Sequence, residues 1–178
     1  MRYTLKRHPD SFCLAATKIE VDVARARAGS LVLSYTVAGK IGDLLVPAVT
    51  AQSRVNELWR HTCFEAFIHA EPGASYYEFN FAPSTQWAAY RFDGYRSGMR
   101  VADGIGAPRI EVASTPERYT LQAALALGEL PSALPWRLGL SAVIEETNRR
   151  KTYWALAHPA GKPDFHHSDC FVGELSPA

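Results

Sequence analysis

Apolar and polar residues alternate with a period of two along most of the chain. Ile19, Val21 and Val23 alternate with Glu20 and Asp22, and a second alternating run follows the turn sequence "RAG". Successive side chains of a strand point to opposite faces, so this period predicts strands with one buried face. The two runs together predict a β-hairpin.

The central region predicts another strand followed by a turn. "CFEAFIHA" places Phe64, Ala66 and Ile68 on one face and Glu65 and His69 on the other. The segment "EPGAS" then supplies turn residues. A strand with an apolar face and a polar face is therefore expected here.

Two more strands follow in quick succession. "YYEFNF" puts Tyr77, Phe79 and Phe81 on the apolar side, while Tyr76, Glu78 and Asn80 face the opposite way. The sequence "PS" ends this strand, and "QWAAYRFD" predicts the next one, which is short and rich in aromatic residues.

The second half predicts four further strands, in "RIEVAS", "YTLQAALAL", "WRLGLSAVIEE" and "KTYWALAH". Roughly nine to eleven short strands separated by Gly and Pro turns predict an all-β fold, an antiparallel β-sandwich of jelly-roll-like type. The 178 residues suit a single domain spanning 1–178. The loop from Ala38 to Asn56 is the longest stretch without alternation, so it is expected near a functional rim.

Composition narrows the classes of partner. The 19 basic and 18 acidic residues nearly cancel, which argues against electrostatic binding of nucleic acid or an anionic membrane. No apolar run approaches the ~20 residues that cross a bilayer, and "MRYTLKRHPDSF" lacks the features of a secretory signal. We therefore expect a cytoplasmic protein. Cys13, Cys63 and Cys170 contain no C-x-x-C pair, which predicts reduced, mostly buried thiols.

Motifs of the common enzyme classes are missing from the sequence. It contains no G-x-S-x-G, no Walker A loop and no H-E-x-x-H. Glu65 and Glu78 on adjacent strands would resemble an acid/base pair, but Arg60 and Arg91 are near in sequence, so a salt-bridged sheet face is the favoured interpretation. An enzyme is the least supported class.

Two other polar clusters are expected to be structural. Glu145 and Glu146 are expected where a strand ends in solvent. His166 and His167 in "FHHSD" point to opposite sides of an extended chain, so they do not share a metal ion, and no metal site is predicted. Backbone capping by the loop histidines is favoured, and one of them reaching a ligand is the alternative.

The remaining candidates form a set of aromatic and polar side chains that suits a carbohydrate. Sugar rings present apolar C–H faces and a rim of hydroxyls, so a sugar site needs flat rings and planar hydrogen-bonding groups. The candidates for stacking are Trp59, Tyr76, Trp87, Tyr90 and Trp154. The candidates for hydrogen bonding are Arg60, Glu65, Glu78, Asn80, Arg91 and His158, with His166 or His167 at the rim. Aromatic residues in strands are usually core, so burial of at least half of the set is the alternative expectation.

Three segments, "LWRHTCFEAFI", "YYEFNFAPSTQWAAYRF" and "YWALAHPAGKPDFHHSDCF", resemble those of bacterial DOMON-like proteins, which are related to family 9 carbohydrate-binding modules. The resemblance spans roughly residues 58–171. It implies a β-sandwich that binds a ligand, with sugars stacked between aromatic rings in the family 9 modules and heme bound in other DOMON relatives. The positions that match the family 9 pattern are Trp59, Glu65, Tyr77, Asn80 and Pro83.

The resemblance leaves the ligand open. A non-catalytic domain for a sugar or sugar-derived ligand is favoured. A heme or redox-cofactor domain is the first alternative, for which Met99 is the one methionine available apart from Met1. A protein-interaction module is the second alternative. Thr62 and Cys63 stand where family 9 modules tend to carry an acidic residue, which argues against inherited calcium binding. Neither ligand identity nor oligomeric state follows from the sequence.

Overall fold

The computed structural model describes residues 1–12, 14–26, 29–70, 72–128, 130–131 and 133–177. These residues form an antiparallel β-sandwich of twelve strands, connected by turns, loops and short 3₁₀ segments. The strands are β1 (Arg2–Arg7), β2 (Ala16–Ala26), β3 (Ser30–Gly39), β4 (Cys63–His69), β5 (Tyr76–Phe81), β6 (Trp87–Phe92), β7 (Arg100–Val101), β8 (Arg109–Ser114), β9 (Arg118–Ala126), β10 (Trp136–Glu145), β11 (Lys151–Ala155) and β12 (Gly173–Leu175). No helix among the described residues is long and apolar enough to cross a membrane.

The sandwich is one sheet curled into two layers. The first layer has the order β1-β2-β3-β9-β8, and the second has the order β7-β6-β5-β4-β10-β11 with β12 also paired to β10. Strand β1 belongs to both layers, because Leu5 pairs with Ile19 of β2 while Lys6 pairs with Ala155 of β11. The curl therefore turns at β1.

The predicted strands are confirmed, and three others are added. The hairpin is β2–β3, with Val21 opposite Tyr35, and its turn residues 27 and 28 lie outside the described residues. "YTLQAALAL" is a strand, β9. The additional strands are β1, β7 and β12; β7 and β12 have two and three residues, and β1 buries only Leu5, so none of them carries an alternating apolar signal.

The main core lies between the two layers. The Tyr35 ring packs against Phe64 at 5.1 Å between centroids, and Phe64 stacks on Tyr119 at 6.1 Å. The Tyr35 hydroxyl donates a 2.6 Å hydrogen bond to the carbonyl oxygen of Glu65, so the polar tip of this buried ring is satisfied. Each fully buried side chain of this kind contributes about 1.5–3 kcal/mol.

A second core covers the outer face of the second layer. Phe67 on β4 packs against Phe171 at 5.9 Å between centroids, and Phe165 and Cys170 belong to the same buried cluster. The segment 156–172 therefore lies across the sheet, which leaves β4 buried on both faces. Cys63 and Cys170 are buried free thiols, as predicted, whereas Cys13 lies outside the described residues.

The expectation that Glu145 and Glu146 meet solvent is wrong. Both are buried, at 3% and 4% exposure. Glu146 Oε1 accepts hydrogen bonds from the backbone N–H groups of Leu14 and Ala15, both at 3.0 Å, and Glu145 Oε2 lies 2.7 Å from Nδ1 of His61. The backbone near the start of β2 covers this end of β10, which a strand-by-strand reading does not reveal.

Candidate functional site

A pocket of about 470 Å³ opens on the outer face of the second layer. Its floor is the sheet surface of β4, β5, β10 and β11, and its walls come from the segment 59–60, the loop 96–99 and the segment 163–166. The lining residues are Trp59, Arg60, Glu65, Glu78, Phe92, Arg96, Met99, Val143, Lys151, Tyr153, Pro163, Phe165 and His166.

Two carboxyl groups lie at the floor of this pocket. Glu65 on β4 pairs in register with Asn80 on β5, so Glu78, two residues before Asn80, is its diagonal neighbour on the same face. Their exposures are only 2% and 4%. Ser141 Oγ donates to Glu65 Oε2 at 3.1 Å, and Asn80 Nδ2 donates to Glu78 Oε1 at 2.7 Å. Ser141 of the neighbouring strand β10 thus holds Glu65, and Asn80 of the same strand β5 holds Glu78, both as neutral donors.

Burial makes both carboxyls weaker acids than an exposed glutamate. Loss of hydration raises the pKa of Glu65 to about 8, and the nearby charge of Glu78 adds to this rise. Loss of hydration likewise raises the pKa of Glu78 to about 7. The hydrogen bonds from Ser141 and Asn80 and the charge of Arg96 act in the opposite direction and are smaller. The pair therefore retains a proton at neutral pH.

His166 stands beside this pair as a neutral imidazole. Burial lowers the pKa of His166 to about 4, and the nearby charge of Arg96 lowers it further. The backbone N–H of Arg96 donates to the Tyr76 hydroxyl at 3.2 Å, and that hydroxyl is hydrogen-bonded to Nδ1 of His166 at 2.8 Å. Nε2, on the other side of the ring, lies 3.7 Å from Glu78 Oε2. The two hydrogen bonds of the Tyr76 hydroxyl, to Arg96 and to His166, fix which edge of the His166 ring faces Glu78.

The walls are aromatic and the mouth is basic. Trp59 is half-buried and packs edge-on against Tyr90 at 5.9 Å between centroids. Arg60 pairs with Glu57 at 2.9 Å. The Arg96 guanidinium pairs with Asp164 at 2.8 Å, and within the described chain Lys151 forms no ion pair. Flat rings above desolvated hydrogen-bonding groups are the arrangement that a polar ring-shaped ligand requires.

Part of the candidate set comes together at this pocket. Trp59, Arg60, Glu65, Glu78 and His166 line it. Three others support it from the same face of the sheet, because Asn80 holds Glu78, Tyr76 orients His166, and the Tyr90 hydroxyl donates to Asn56 Oδ1 at 2.9 Å beside Trp59. Of the loop 38–56, which was expected at the rim, the end reaches the neighbourhood of Trp59: Asn56 bonds to Tyr90, and Val55 packs in the same cluster as Trp59.

The other tryptophans and Arg91 lie on the opposite face of the second layer. Trp87 is buried in the inter-layer core, with the Arg54 guanidinium 4.3 Å from its ring centroid, and Trp154 belongs to the same core. Arg91 lies over the ring of Tyr77 at 5.5 Å. Positions 87 and 91 of β6 are odd whereas Tyr90 is even, so the period of two separates them from Tyr90. The favoured salt-bridged face is also absent from the described residues: Glu65 and Glu78 are held by Ser141 and Asn80.

The two remaining histidines bind backbone. His158 donates from Nε2 to the carbonyl oxygen of Lys6 at 2.8 Å, and burial lowers its pKa. His167 Nδ1 accepts from the backbone N–H of Asp169 at 3.2 Å. Neither lines the pocket, whereas His166 does. The adjacent histidines thus face different surroundings, as expected for neighbours in an extended segment.

Sequence reasoning missed much of the pocket lining. Lys151 and Tyr153 are on the face of β11 opposite Trp154, so the alternation of "KTYWA" carried the signal. Arg96 and Phe165 come from irregular segments that reach the pocket only through the tertiary fold. No local pattern identifies residues of this second kind.

The sequence matches no protein-family model and no curated protein. Solved structures resemble the fold. One is a protein from Bacteroides uniformis ATCC 8492 that carries the provisional description of a carbohydrate-binding protein, with a TM-score of 0.71 and 16% identity over 99% of this chain and 85% of that one. Another is a family 9 carbohydrate-binding module from Caldicellulosiruptor kristjanssonii in complex with cellotriose, with a TM-score of 0.59 and 11% identity over 99% and 81%.

A family 9 module from the same organism in complex with glucose gives a TM-score of 0.52 and 14% identity over 97% of this chain and 83% of that one. At these identities the likeness defines the fold. The chain is an antiparallel β-sandwich similar to family 9 carbohydrate-binding modules, with an aromatic-walled pocket on one outer face.

Proposed function

We propose that the protein is a non-catalytic carbohydrate-binding domain of the family 9 and DOMON-like type. The observation that carries this proposal is the pocket that Trp59 lines together with the buried carboxyls of Glu65 and Glu78. The family 9 modules of similar fold bind cellotriose and glucose, which supports a sugar as the ligand class.

The dimensions and chemistry of the pocket suit a sugar ring. Its volume of about 470 Å³ falls in the range of roughly 300–1,000 Å³ that small-molecule sites occupy. The aromatic side chains of Trp59, Phe92 and Tyr153 line the pocket and supply apolar surface for the C–H side of a sugar. The carboxyl oxygens at the floor accept hydrogen bonds from hydroxyls, and a desolvated site makes such bonds selective.

The glutamate pair supports binding rather than glycoside hydrolysis. Hydrolysis needs one protonated and one ionised carboxyl on either side of the scissile bond, in environments that separate their pKa values. A pair that shares a proton at neutral pH meets the first condition, but Glu65 and Glu78 are diagonal neighbours on one sheet face, so both face a bound ligand from the same side.

A thermal-shift screen against mono- and disaccharides tests the proposal. A ligand at 100 times its Kd stabilises the fold by about 2.7 kcal/mol, which raises the melting temperature by several degrees in a domain of this size. We expect a shift with one class of sugar, lost in Trp59→Ala and kept in Glu111→Gln, which alters an exposed residue of the other layer. An unchanged melting temperature with every sugar would contradict the proposal and favour a protein partner.

A heme is the second candidate, because Met99 and His166 line the same pocket. Axial ligation by Nε2 of His166 fits poorly, since the buried carboxyl of Glu78 lies 3.7 Å from that nitrogen and occupies the space beside it. An absorption spectrum of the purified protein separates the two candidates. A Soret band, or a shift with hemin and with no sugar, would replace the carbohydrate proposal.

A further inference from the structure

The floor of the pocket holds two acids without a dedicated counter-charge. The guanidinium groups of Arg60 and Arg96 are at the mouth, where each already pairs with an acidic residue. Glu65 and Glu78 are bonded by the neutral donors Ser141 and Asn80. Among the described residues, the Glu65 oxygen not bonded to Ser141 has no hydrogen-bond partner, although the residue is 2% exposed and lines the pocket.

A buried carboxylate pair is costly unless something neutralises it. Two like charges in a desolvated site repel, so in the free protein the pair retains a proton and only one of the two groups ionises. A cation entering the pocket would replace that proton and allow both groups to ionise. The aromatic side chains of Trp59, Phe92 and Phe165 also line the pocket, and aromatic rings attract cations that lie over them.

We propose that the ligand is an amino sugar, whose ammonium group binds between Glu65 and Glu78 while its ring packs against the aromatic wall. This inference rests on the proposed carbohydrate-binding function and names the class of sugar. No covalent bond forms or breaks. The ammonium displaces the proton that the glutamate pair holds, and that proton goes to solvent.

Proton release can be assigned to the glutamates. The other titratable groups that face them are Cys63 on β4, Tyr76 on β5, Tyr90 on β6, Tyr153 on β11 and His166, besides the cations of the mouth. Burial keeps the pKa of His166 near 4 and raises the pKa of Cys63 well above its usual value. Burial likewise raises the pKa values of Tyr76 and Tyr90 above their usual range. Binding should therefore strengthen as pH rises from about 6 to 7, because fewer protons compete for the glutamates while the sugar ammonium is still charged.

Titration calorimetry of the full chain with glucosamine, glucose, N-acetylglucosamine and glucuronate tests this inference. We expect glucosamine to bind at least about tenfold more tightly than the other three at pH 7. Runs in two buffers of different ionisation enthalpy should show about one proton released per glucosamine bound. Glu65→Gln and Glu78→Gln should each abolish this preference, and Glu111→Gln should preserve it.

The outcomes separate the inference from the function on which it rests. Equal binding of glucose and glucosamine with no proton released overturns the amino-sugar inference and leaves carbohydrate binding standing. Tighter binding of glucuronate also overturns it, because Lys151 and the arginines of the mouth would then bind the carboxylate of the ligand. Absence of binding by every sugar overturns both. Proton release is measured on the unmodified protein, so the test holds even if a glutamine variant fails to fold.

Discussion

At the residue scale, the burial of two glutamates at the pocket floor costs stability whenever they ionise. A carboxyl that is held by one neutral donor and shielded from water is less stable as an anion than the same group in an unfolded chain. Glu65 and Glu78 both have this environment, with Ser141 and Asn80 as their donors. The fold tolerates them because the groups can remain protonated at neutral pH.

The stability of the protein should therefore fall as pH rises from about 6.5 to 8. Glutamates titrate near pH 4.3 in unfolded chains, whereas the pKa values here are about 8 for Glu65 and about 7 for Glu78. Between these limits the native state binds more protons than the unfolded state, so the free energy of unfolding decreases as pH rises. The loss is about 2 kcal/mol, or several degrees in melting temperature, measured by circular dichroism over a pH series.

The titration of His166 explains why the decline in stability begins at about pH 6.5. Its native pKa of about 4 lies below the unfolded value, so its contribution to stability is lost as pH falls through 6.5 towards 4. This change opposes that of the glutamates below pH 6.5. Glu65→Gln should flatten the decline above pH 6.5, and Glu111→Gln should leave it unchanged. A wild-type melting temperature that is constant or rises over this window would show that the pair is ionised in the native state.

At the element scale, the period of two accounts for the fold and for part of the site. It placed Phe64 and Phe79 in the core and Glu65 and Glu78 on the opposite face, as observed. The error at Trp87 was to group residues by composition, although its position in β6 assigned it to the core. The period of two predicts which face of the sheet a side chain occupies but not how deeply it is buried, because burial depends on which loop covers the sheet.

One glycine determines how β3 ends against β2. Gly39 has a φ of +149°, and a Cβ there would lie 1.9 Å from the carbonyl oxygen of Ala15. The same region of β2 carries an irregular register between Ala16 and Lys18. We expect Gly39→Ala to destabilise the fold by about 2 kcal/mol or more, measured by urea unfolding, because backbone must move to accept the methyl group.

Gly42 is the matched control for that substitution. It lies three residues further on, in the 3₁₀ turn Ile41–Asp43, where an added Cβ meets nothing within 4 Å. Gly42→Ala should leave stability unchanged or raise it by up to about 1 kcal/mol, through the unfolded state. Equal effects of the two alanines would mean that the close approach to Ala15 relaxes without cost.

At the scale of the whole molecule, one sheet layer is shared by two cores. The first layer packs on the inner face of the second, and the segment 156–172 packs on the outer face. Alternation cannot reveal this second cover, because the segment has no periodic apolar pattern and meets β4 through tertiary contacts such as Phe171 with Phe67. The pocket lies where the cover is incomplete. Its lining therefore mixes strand residues with loop residues such as Phe165. The strand residues can be predicted from the sequence pattern, whereas the loop residues cannot.

The two cores should open separately in hydrogen exchange. Leu33→Ala in the inter-layer core should destabilise the sandwich by about 3 kcal/mol and speed exchange in β3 about 100-fold. The amides of Cys170 and Phe171 are bonded within their own segment, so they should exchange through local opening and remain unaffected by Leu33→Ala. Phe171→Ala should accelerate them, because it weakens the contact that holds the segment on the sheet. If Leu33→Ala speeds exchange equally in both regions, the cover and the sandwich form one cooperative unit and the two cores do not open separately.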